Sequence, residues 1–217
     1  VESGTTAMAQ AMGCGVIYTD ESAPRVIDPV LKSLNDVDEL VIPDPENDYP
    51  LNEVLKAVNI LSNEIGGEVC IMGRADQAPM SLAAAIRGHE QFLMDLGLCE
   101  DPAVIQRLLD ICVEATGRYA LALQNAGAHC TSIGEFGSDS ISPAMYRQYA
   151  LPNLQRFFAG INMAGFPGAV HQCGETSAVL PEMVASGARI IELDPKTDMH
   201  VAKDAARGKV TILGMVD

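Results

Sequence analysis

The sequence predicts an α/β fold of the (β/α)8 TIM-barrel class, present here as an incomplete barrel. Short apolar stretches alternate with stretches of helical spacing, and the last three predicted strands lie about 20 residues apart. A doubly wound parallel sheet also fits this alternation. However, groups able to do chemistry stand at the ends of successive strands, as a barrel enzyme requires. The sequence contains neither a GxGxxG turn nor a phosphate-binding P-loop, which further favours the barrel.

Helical spacing and short apolar runs place the elements. The predicted strands cover residues 69–73, 130–134, 168–173, 189–193 and 210–214. The predicted helices cover residues 54–65, 81–98, 101–127, 176–186 and 199–207, with another beginning at Ser142. A hairpin could begin at residues 13–18. Together these elements account for five of the eight strands of a complete barrel.

Several helix boundaries have specific signals. Gly66-Gly67 stops the first long helix, and Gly88 divides residues 81–98 into one or two helices. Asp101 followed by Pro102 is a strong helix start, because Asp caps free backbone N–H groups and Pro suits the first helical position. Ser142-Pro143 repeats this pattern, and we expect Pro152 to kink or break the helix that follows.

Composition limits the classes of partner. The chain has 217 residues, 48% of them hydrophobic, and a net charge of -15 from 29 acidic and 14 basic residues. A nucleic-acid-binding protein needs a basic stripe, and the sequence has none. An anionic membrane surface is disfavoured for the same reason, and no apolar run is long enough to span a bilayer. We therefore expect neither nucleic acid nor membrane as a partner.

Cysteine usage indicates a reducing compartment. The six cysteines are scattered, without a CxxC pair, and the chain opens without a signal peptide. This pattern favours free thiols and a cytoplasmic protein over a disulfide framework. The chain begins at Val1, without an initiator Met, and ends just after the apolar run 210–214. We therefore expect residues 1–217 to form a single partial barrel domain, with the N- and C-terminal parts missing.

The segment His171-Gln172-Cys173-Gly174 carries the most specific chemistry. His171 and Cys173 lie two apart on a predicted strand, so their side chains point the same way. Imidazole and thiolate together suit Zn²⁺, and Gly174 lets the backbone turn sharply after them. A buried cysteine beside a hydrogen-bonded core histidine is an equally good explanation of these residues alone.

A zinc site needs at least one more protein ligand. Candidates within the chain are Glu135, Asp194, Cys130 and His129, and a thiolate beyond residue 217 is the remaining option. Cys130 and His129 stand at the start of their strand and are better candidates for the bottom of the barrel. Glu135 stands at a strand end and could be a ligand, a catalytic acid/base or a solvated carboxylate. Asp194 could bind substrate or cap the loop before Pro195.

Charged residues at strand ends are candidates for substrate binding. Arg74 and Asp76 follow the first predicted barrel strand and Asp194 the fourth, so we assign all three to substrate binding. In so acidic a chain, Arg74, Arg87 and Lys196 are the candidate anion binders, although such residues usually pair with nearby carboxylates. Two histidines in helical stretches receive no role: His89 and His200.

Four segments together resemble the uroporphyrinogen decarboxylase superfamily, in its corrinoid-dependent methyltransferase branch. They are Gly73-Arg74-Ala75-Asp76-Gln77-Ala78-Pro79, Ser142-Pro143-Ala144-Met145-Tyr146, His171-Gln172-Cys173-Gly174 and Leu193-Asp194. The resemblance covers nearly the whole chain. The Ser142-Pro143 helix start is shared across the superfamily, whereas the HxCG motif separates methyltransferases from true decarboxylases.

The resemblance implies a TIM barrel with zinc held by His171, Cys173 and a cysteine that would lie past Asp217. It implies a thiol substrate, such as coenzyme M, and a methyl donor that is a corrinoid on a partner protein. It does not assign Glu135 a role. Two alternatives remain: a metal-free uroporphyrinogen decarboxylase, which the HxCG motif disfavours, and a barrel that binds a corrinoid or tetrapyrrole without turnover.

Overall fold

A computed structural model describes residues 4–135 and 140–214 of the chain. Asp217, which follows the last predicted strand, lies outside these residues. The main feature is a five-stranded parallel sheet in the order β3-β4-β5-β6-β7. Its strands are Met72–Gln77 (β3), Cys130–Glu135 (β4), Gly168–Gln172 (β5), Ile190–Leu193 (β6) and Thr211–Gly214 (β7). Sequential order with parallel pairing is the βαβ pattern that the sequence predicts.

Helices connect these strands and cover the sheet. They are Ala7–Ala11 (α1), Leu51–Ile65 (α2), Pro79–Arg87 (α3), His89–Leu98 (α4), Pro102–Asn125 (α5), Pro143–Met145 (α6), Leu151–Met163 (α7), Leu180–Ala185 (α8) and Met199–Ala206 (α9). The core lies between the sheet and the helices, where α5 packs on β3 and against α3 and α7. In the part of the chain that the structure describes, no helix is both long and apolar enough to cross a membrane.

The boundary signals are confirmed at three places. Gly88 adopts a φ of +92°, a conformation open mainly to glycine, and separates α3 from α4. The Asp101 side chain accepts a hydrogen bond from the N–H of Ala103 at the start of α5. Pro152 lies at the start of α7, and the five residues before α7 form a π-helical segment, so the helix does change at this proline.

Two predicted elements are wrong in position. The strand expected at 69–73 runs from Met72 to Gln77, so Arg74 and Asp76 lie within β3 and do not follow it. Arg74 points into the barrel, and a polar side chain in that position does not end a strand. The helix expected at 176–186 begins only at Leu180, because the backbone N–H and hydroxyl of Thr176 are hydrogen-bonded to Thr197, at 3.1 and 2.8 Å.

The N-terminal residues form a separate layer against the barrel. Strands Gly15–Ile17 (β1) and Arg25–Asp28 (β2) pair antiparallel, as the hairpin expected from residue 13 requires. The side chain of Gln77 donates to the carbonyl of Thr5 at 3.0 Å. The segment before α1 is therefore fixed to the end of β3, and the hairpin forms one wall of a cavity at this end of the sheet.

Candidate active site

A cavity of about 540 Å³ opens at the C-terminal ends of β3, β4 and β5. Its lining includes Arg74 and Gln77 from β3, Glu135 from β4, and His171 and Cys173 from the end of β5. This is the face on which barrel enzymes place their active sites. The volume lies in the usual range for small-molecule sites.

His171 and Cys173 meet at this cavity. The Nε2 atom of His171 lies 3.1 Å from the Sγ atom of Cys173, so the two side chains do point the same way. Gln172 between them points to the other face of the sheet and is fully buried. Strand alternation is therefore the physical reason that the HxC motif presents both donor atoms together.

Glu192 lies behind the imidazole. It pairs with His171 in the β5–β6 ladder, and its Oε2 atom is 3.6 Å from the Nδ1 atom of His171. With Nδ1 facing a carboxylate, Nε2 is turned toward Cys173. A carboxylate behind a ligating histidine fixes the ring orientation and raises its basicity as a ligand. The sequence alone does not single out Glu192. Its position on the predicted strand 189–193 could have indicated that it lies beside the HxC motif.

The donor pair fits part of a zinc site. Tetrahedral zinc with an N bond of about 2.1 Å and an S bond of about 2.3 Å needs these donors about 3.5 Å apart. The observed separation of 3.1 Å is close to that value. Within residues 4–135 and 140–214, no group of three or more His, Cys, Asp or Glu side chains could hold a metal ion. Cys130 and His129 lie at the opposite end of the sheet, at the start of β4.

When no cation is bound, the surroundings of Cys173 favour its protonated thiol over the thiolate. Partial burial raises the pKa of Cys173 above its ordinary value, and the carboxylate of Asp194 adds to the rise. Arg74 opposes this effect. The Arg74 guanidinium lies over Gly134, where a Cβ atom would approach its Nη2 atom to 2.5 Å, and Gly134 pairs with His171. Glycine at this position therefore gives Arg74 the space to lie beside the histidine.

Glu135 is the last residue of β4 and is buried. Its Oε1 atom accepts a hydrogen bond of 2.7 Å from the hydroxyl of Ser81 in α3. In the β4–β5 ladder Glu135 pairs with Gln172, whereas Gly134 pairs with His171. Residues paired in a parallel ladder share a face, so Glu135 and His171 start from opposite faces of the sheet. This register argues against Glu135 as a ligand beside His171.

Asp194 holds the loop after the HxC motif. Its Oδ2 atom accepts a hydrogen bond from the N–H of Gly174 at 2.9 Å, and its Oδ1 atom accepts one from the N–H of Lys196, also at 2.9 Å. These two bonds lower the pKa of Asp194. Asp194 is not part of the cavity lining, so the loop-capping alternative fits its contacts better than direct substrate binding.

Asp76 joins β3 to the N-terminal layer. It is buried, sits at a register shift of the β3–β4 ladder and adopts a φ of +64°. Its Oδ2 atom accepts a hydrogen bond of 2.8 Å from the N–H of Met8 in the first turn of α1. Asp and Asn tolerate this left-handed conformation better than other residues with a Cβ atom. Through these contacts Asp76 anchors α1. This structural role is separate from the substrate binding predicted for its carboxylate from the sequence.

We expect Asp76→Ala to destabilise the full-length protein by about 2–3 kcal/mol. The change removes the acceptor for the Met8 N–H and places alanine in a left-handed conformation. Asp76→Asn keeps an acceptor oxygen and the conformational tolerance, so its cost should be below about 1 kcal/mol. Denaturant unfolding followed by circular dichroism measures both. An Asp76→Asn protein of unchanged stability but with a raised KM would instead support substrate binding.

The structure adds several residues to the cavity that sequence reasoning leaves out. His89, which received no role, lines the cavity, as do Arg25 from β2 and Ser81 from α3. These residues are distant in sequence from the HxC motif, so only the fold brings them near it. Arg87 forms a partly buried ion pair with Asp95 at 2.7 Å, which disfavours it as an anion binder.

Comparisons with known proteins agree on one family. The family model for uroporphyrinogen decarboxylase matches residues 1–217. The methylcobamide:CoM methyltransferase MtbA of Methanosarcina acetivorans is 30% identical over 220 residues, which cover 98% of this chain and 62% of that protein. The uroporphyrinogen decarboxylase of Syntrophotalea carbinolica is 28% identical over 212 residues, covering 96% of this chain and 60% of the relative.

A solved structure shares the fold. A methyltransferase from Methanosarcina mazei matches with a TM-score of 0.89 at 23% sequence identity, covering 99% of this chain and 63% of that one. This likeness confirms the barrel class that the sequence predicts. The chain spans about three fifths of the length of the relatives it matches.

Proposed function

Because the chain belongs to the uroporphyrinogen decarboxylase family, we propose that it is part of a zinc-dependent methyltransferase that moves a methyl group from a methyl-corrinoid to a small thiol. Its relatives in this family are enzymes, named either as methyltransferases or as decarboxylases. The observation that carries the proposal is the pairing of His171 Nε2 with Cys173 Sγ at 3.1 Å on the cavity wall. A decarboxylase without a metal has no use for this donor pair.

In this proposal the two donors hold zinc, and Glu192 orients the histidine from behind. The third protein ligand comes from a part of the protein beyond residue 217. Zinc bound there lowers the pKa of an incoming thiol, so that the sulfur is available as thiolate at neutral pH. The methyl donor is a corrinoid carried by a partner protein, and coenzyme M is the thiol suggested by the names of the relatives.

The remaining cavity residues position the substrates and move the proton. Glu135 lines the cavity and takes up the thiol proton as the sulfur is activated. A new S–C bond then forms while the Co–C bond of the methyl-corrinoid breaks, and the electron pair of that bond stays on cobalt. Arg25 and Arg74, cations in a chain of net charge -15, favour a thiol that also carries an anionic group.

The test uses the full-length protein with methylcobalamin as donor. We expect zinc at about one per chain, and methylation of coenzyme M that stops after chelation and returns when zinc is added back. Mass spectrometry detects the methylated thiol, and plasma emission spectrometry measures the metal. A parallel assay offers uroporphyrinogen III, because cavity arginines also suit carboxylates. Decarboxylation of this substrate, with neither zinc nor thiol methylation, would establish the alternative.

A further inference from the structure

Two cysteine thiols lie in contact at the end of the sheet opposite the cavity. Cys70 precedes β3 and Cys130 is the first residue of β4, and their Sγ atoms are 3.8 Å apart. A disulfide bond is about 2.05 Å long, so the sulfurs need to approach by less than 2 Å, roughly one side-chain rotation. The two residues are 60 positions apart in sequence. Nothing in the sequence pattern links them.

The backbones on either side of the thiols are tied together. The N–H of His129 donates to the carbonyl of Ile71 at 2.8 Å. In return, the N–H of Ile71 donates to the Nδ1 atom of His129 at 2.9 Å. The next residue along, Met72, pairs with Cys130 in the β3–β4 ladder. Backbone contacts therefore hold the segments that carry the two thiols side by side, so that side-chain rotation alone can bring the sulfurs together.

The two thiols differ in accessibility. Cys70 is exposed, whereas Cys130 is buried. Burial, with a contribution from Cys70, raises the pKa of Cys130 to about 11, so this thiol is protonated at neutral pH. A dissolved oxidant therefore meets Cys70 first, and Cys130 is placed to attack the Cys70 sulfur of the mixed disulfide that results.

We propose that Cys70 and Cys130 form a reversible intramolecular disulfide with glutathione disulfide as oxidant. The Cys70 thiolate attacks one sulfur of glutathione disulfide, and one glutathione thiolate leaves. Cys130 then gives up its proton and attacks the Cys70 sulfur, which releases the second glutathione. Two protein thiols are oxidised, and one disulfide is reduced to two thiols.

The cross-link would join the segment entering β3 to the start of β4. It would close a chain loop of residues 70–130 and so restrict the unfolded state. Strands rise by about 3.3 Å per residue, which places the pair roughly 16 Å from Glu135 at the other end of β4. We therefore expect oxidation to stabilise the barrel and to leave zinc content and thiol methylation unchanged.

The experiment treats the full-length protein with glutathione disulfide, quenches with acid, alkylates free thiols and maps peptides by mass spectrometry. We expect a cross-linked peptide joining Cys70 to Cys130, reversed by dithiothreitol. Cys130→Ser should stop at the mixed disulfide and accumulate glutathione on Cys70. Cys70→Ser should leave Cys130 unmodified. Cys99→Ser, which removes another partly accessible thiol, should still form the cross-link.

Thermal unfolding gives a second measurement. The oxidised protein should unfold at a Tm at least about 2 °C above that of the reduced protein, and Cys130→Ser should lose this difference. The proposal would be overturned if Cys70 remained unlinked to Cys130 while other thiols became oxidised. An equal Tm for the cross-linked and reduced proteins would overturn the stabilising role.

Discussion

Cys173→Ala in the full-length protein is expected to reduce bound zinc from about one per chain to less than about a tenth. The change removes the thiolate and leaves His171 as one donor on this wall of the cavity. Methyl transfer to the thiol should fall by on the order of 100-fold or more, since loss of a ligand should exceed the effect of losing a residue that supports one. Metal analysis and the methylcobalamin assay measure the two effects on the same preparations.

The matched control is Cys70→Ala, prepared under reducing conditions. Cys70 is also an exposed thiol but lies at the other end of the sheet, so its removal should leave zinc and activity unchanged. Full zinc occupancy in Cys173→Ala would contradict the ligand assignment. The buried-core explanation of the HxC motif would then be the better one, although the exposure of Cys173 already disfavours it.

Local signals in the sequence predict the fold well where they depend on a single backbone rule. Gly88 ends a helix because of its conformational freedom, and Asp101-Pro102 begins one through capping. His171 and Cys173 share a side because strand side chains alternate. Each of these inferences uses residues close together in sequence, and each is confirmed.

The features that the sequence did not predict depend on contacts between residues far apart in the chain. β3 extends past Arg74 because the strand interior tolerates a polar side chain that faces the cavity. Thr176 resembles a helix start but is hydrogen-bonded to Thr197, 21 residues away. His89 and Arg25 reach the cavity only through the packing of distant elements. These parts of the candidate site therefore depend on contacts that no local pattern encodes.

Glu135→Gln is expected to keep zinc at about one per chain and to slow methyl transfer by about 10²- to 10⁴-fold. The two side chains have the same shape, and the Oε1 atom of glutamine can still accept the hydrogen bond from Ser81. The register of β4 and β5 separates Glu135 from the face that carries His171, so the metal should not depend on it. What the variant loses is a group that can accept a proton.

Ser81→Ala provides the comparison for this variant. It keeps the Glu135 carboxylate but removes the donor that orients it, so a smaller loss, on the order of tenfold, is expected. If Glu135 accepts the thiol proton, methyl transfer by Glu135→Gln should recover partly as pH rises, because free thiolate replaces the missing base. Loss of zinc in Glu135→Gln would make Glu135 a ligand. An unchanged rate would make the Ser81–Glu135 pair purely structural, joining α3 to the end of β4.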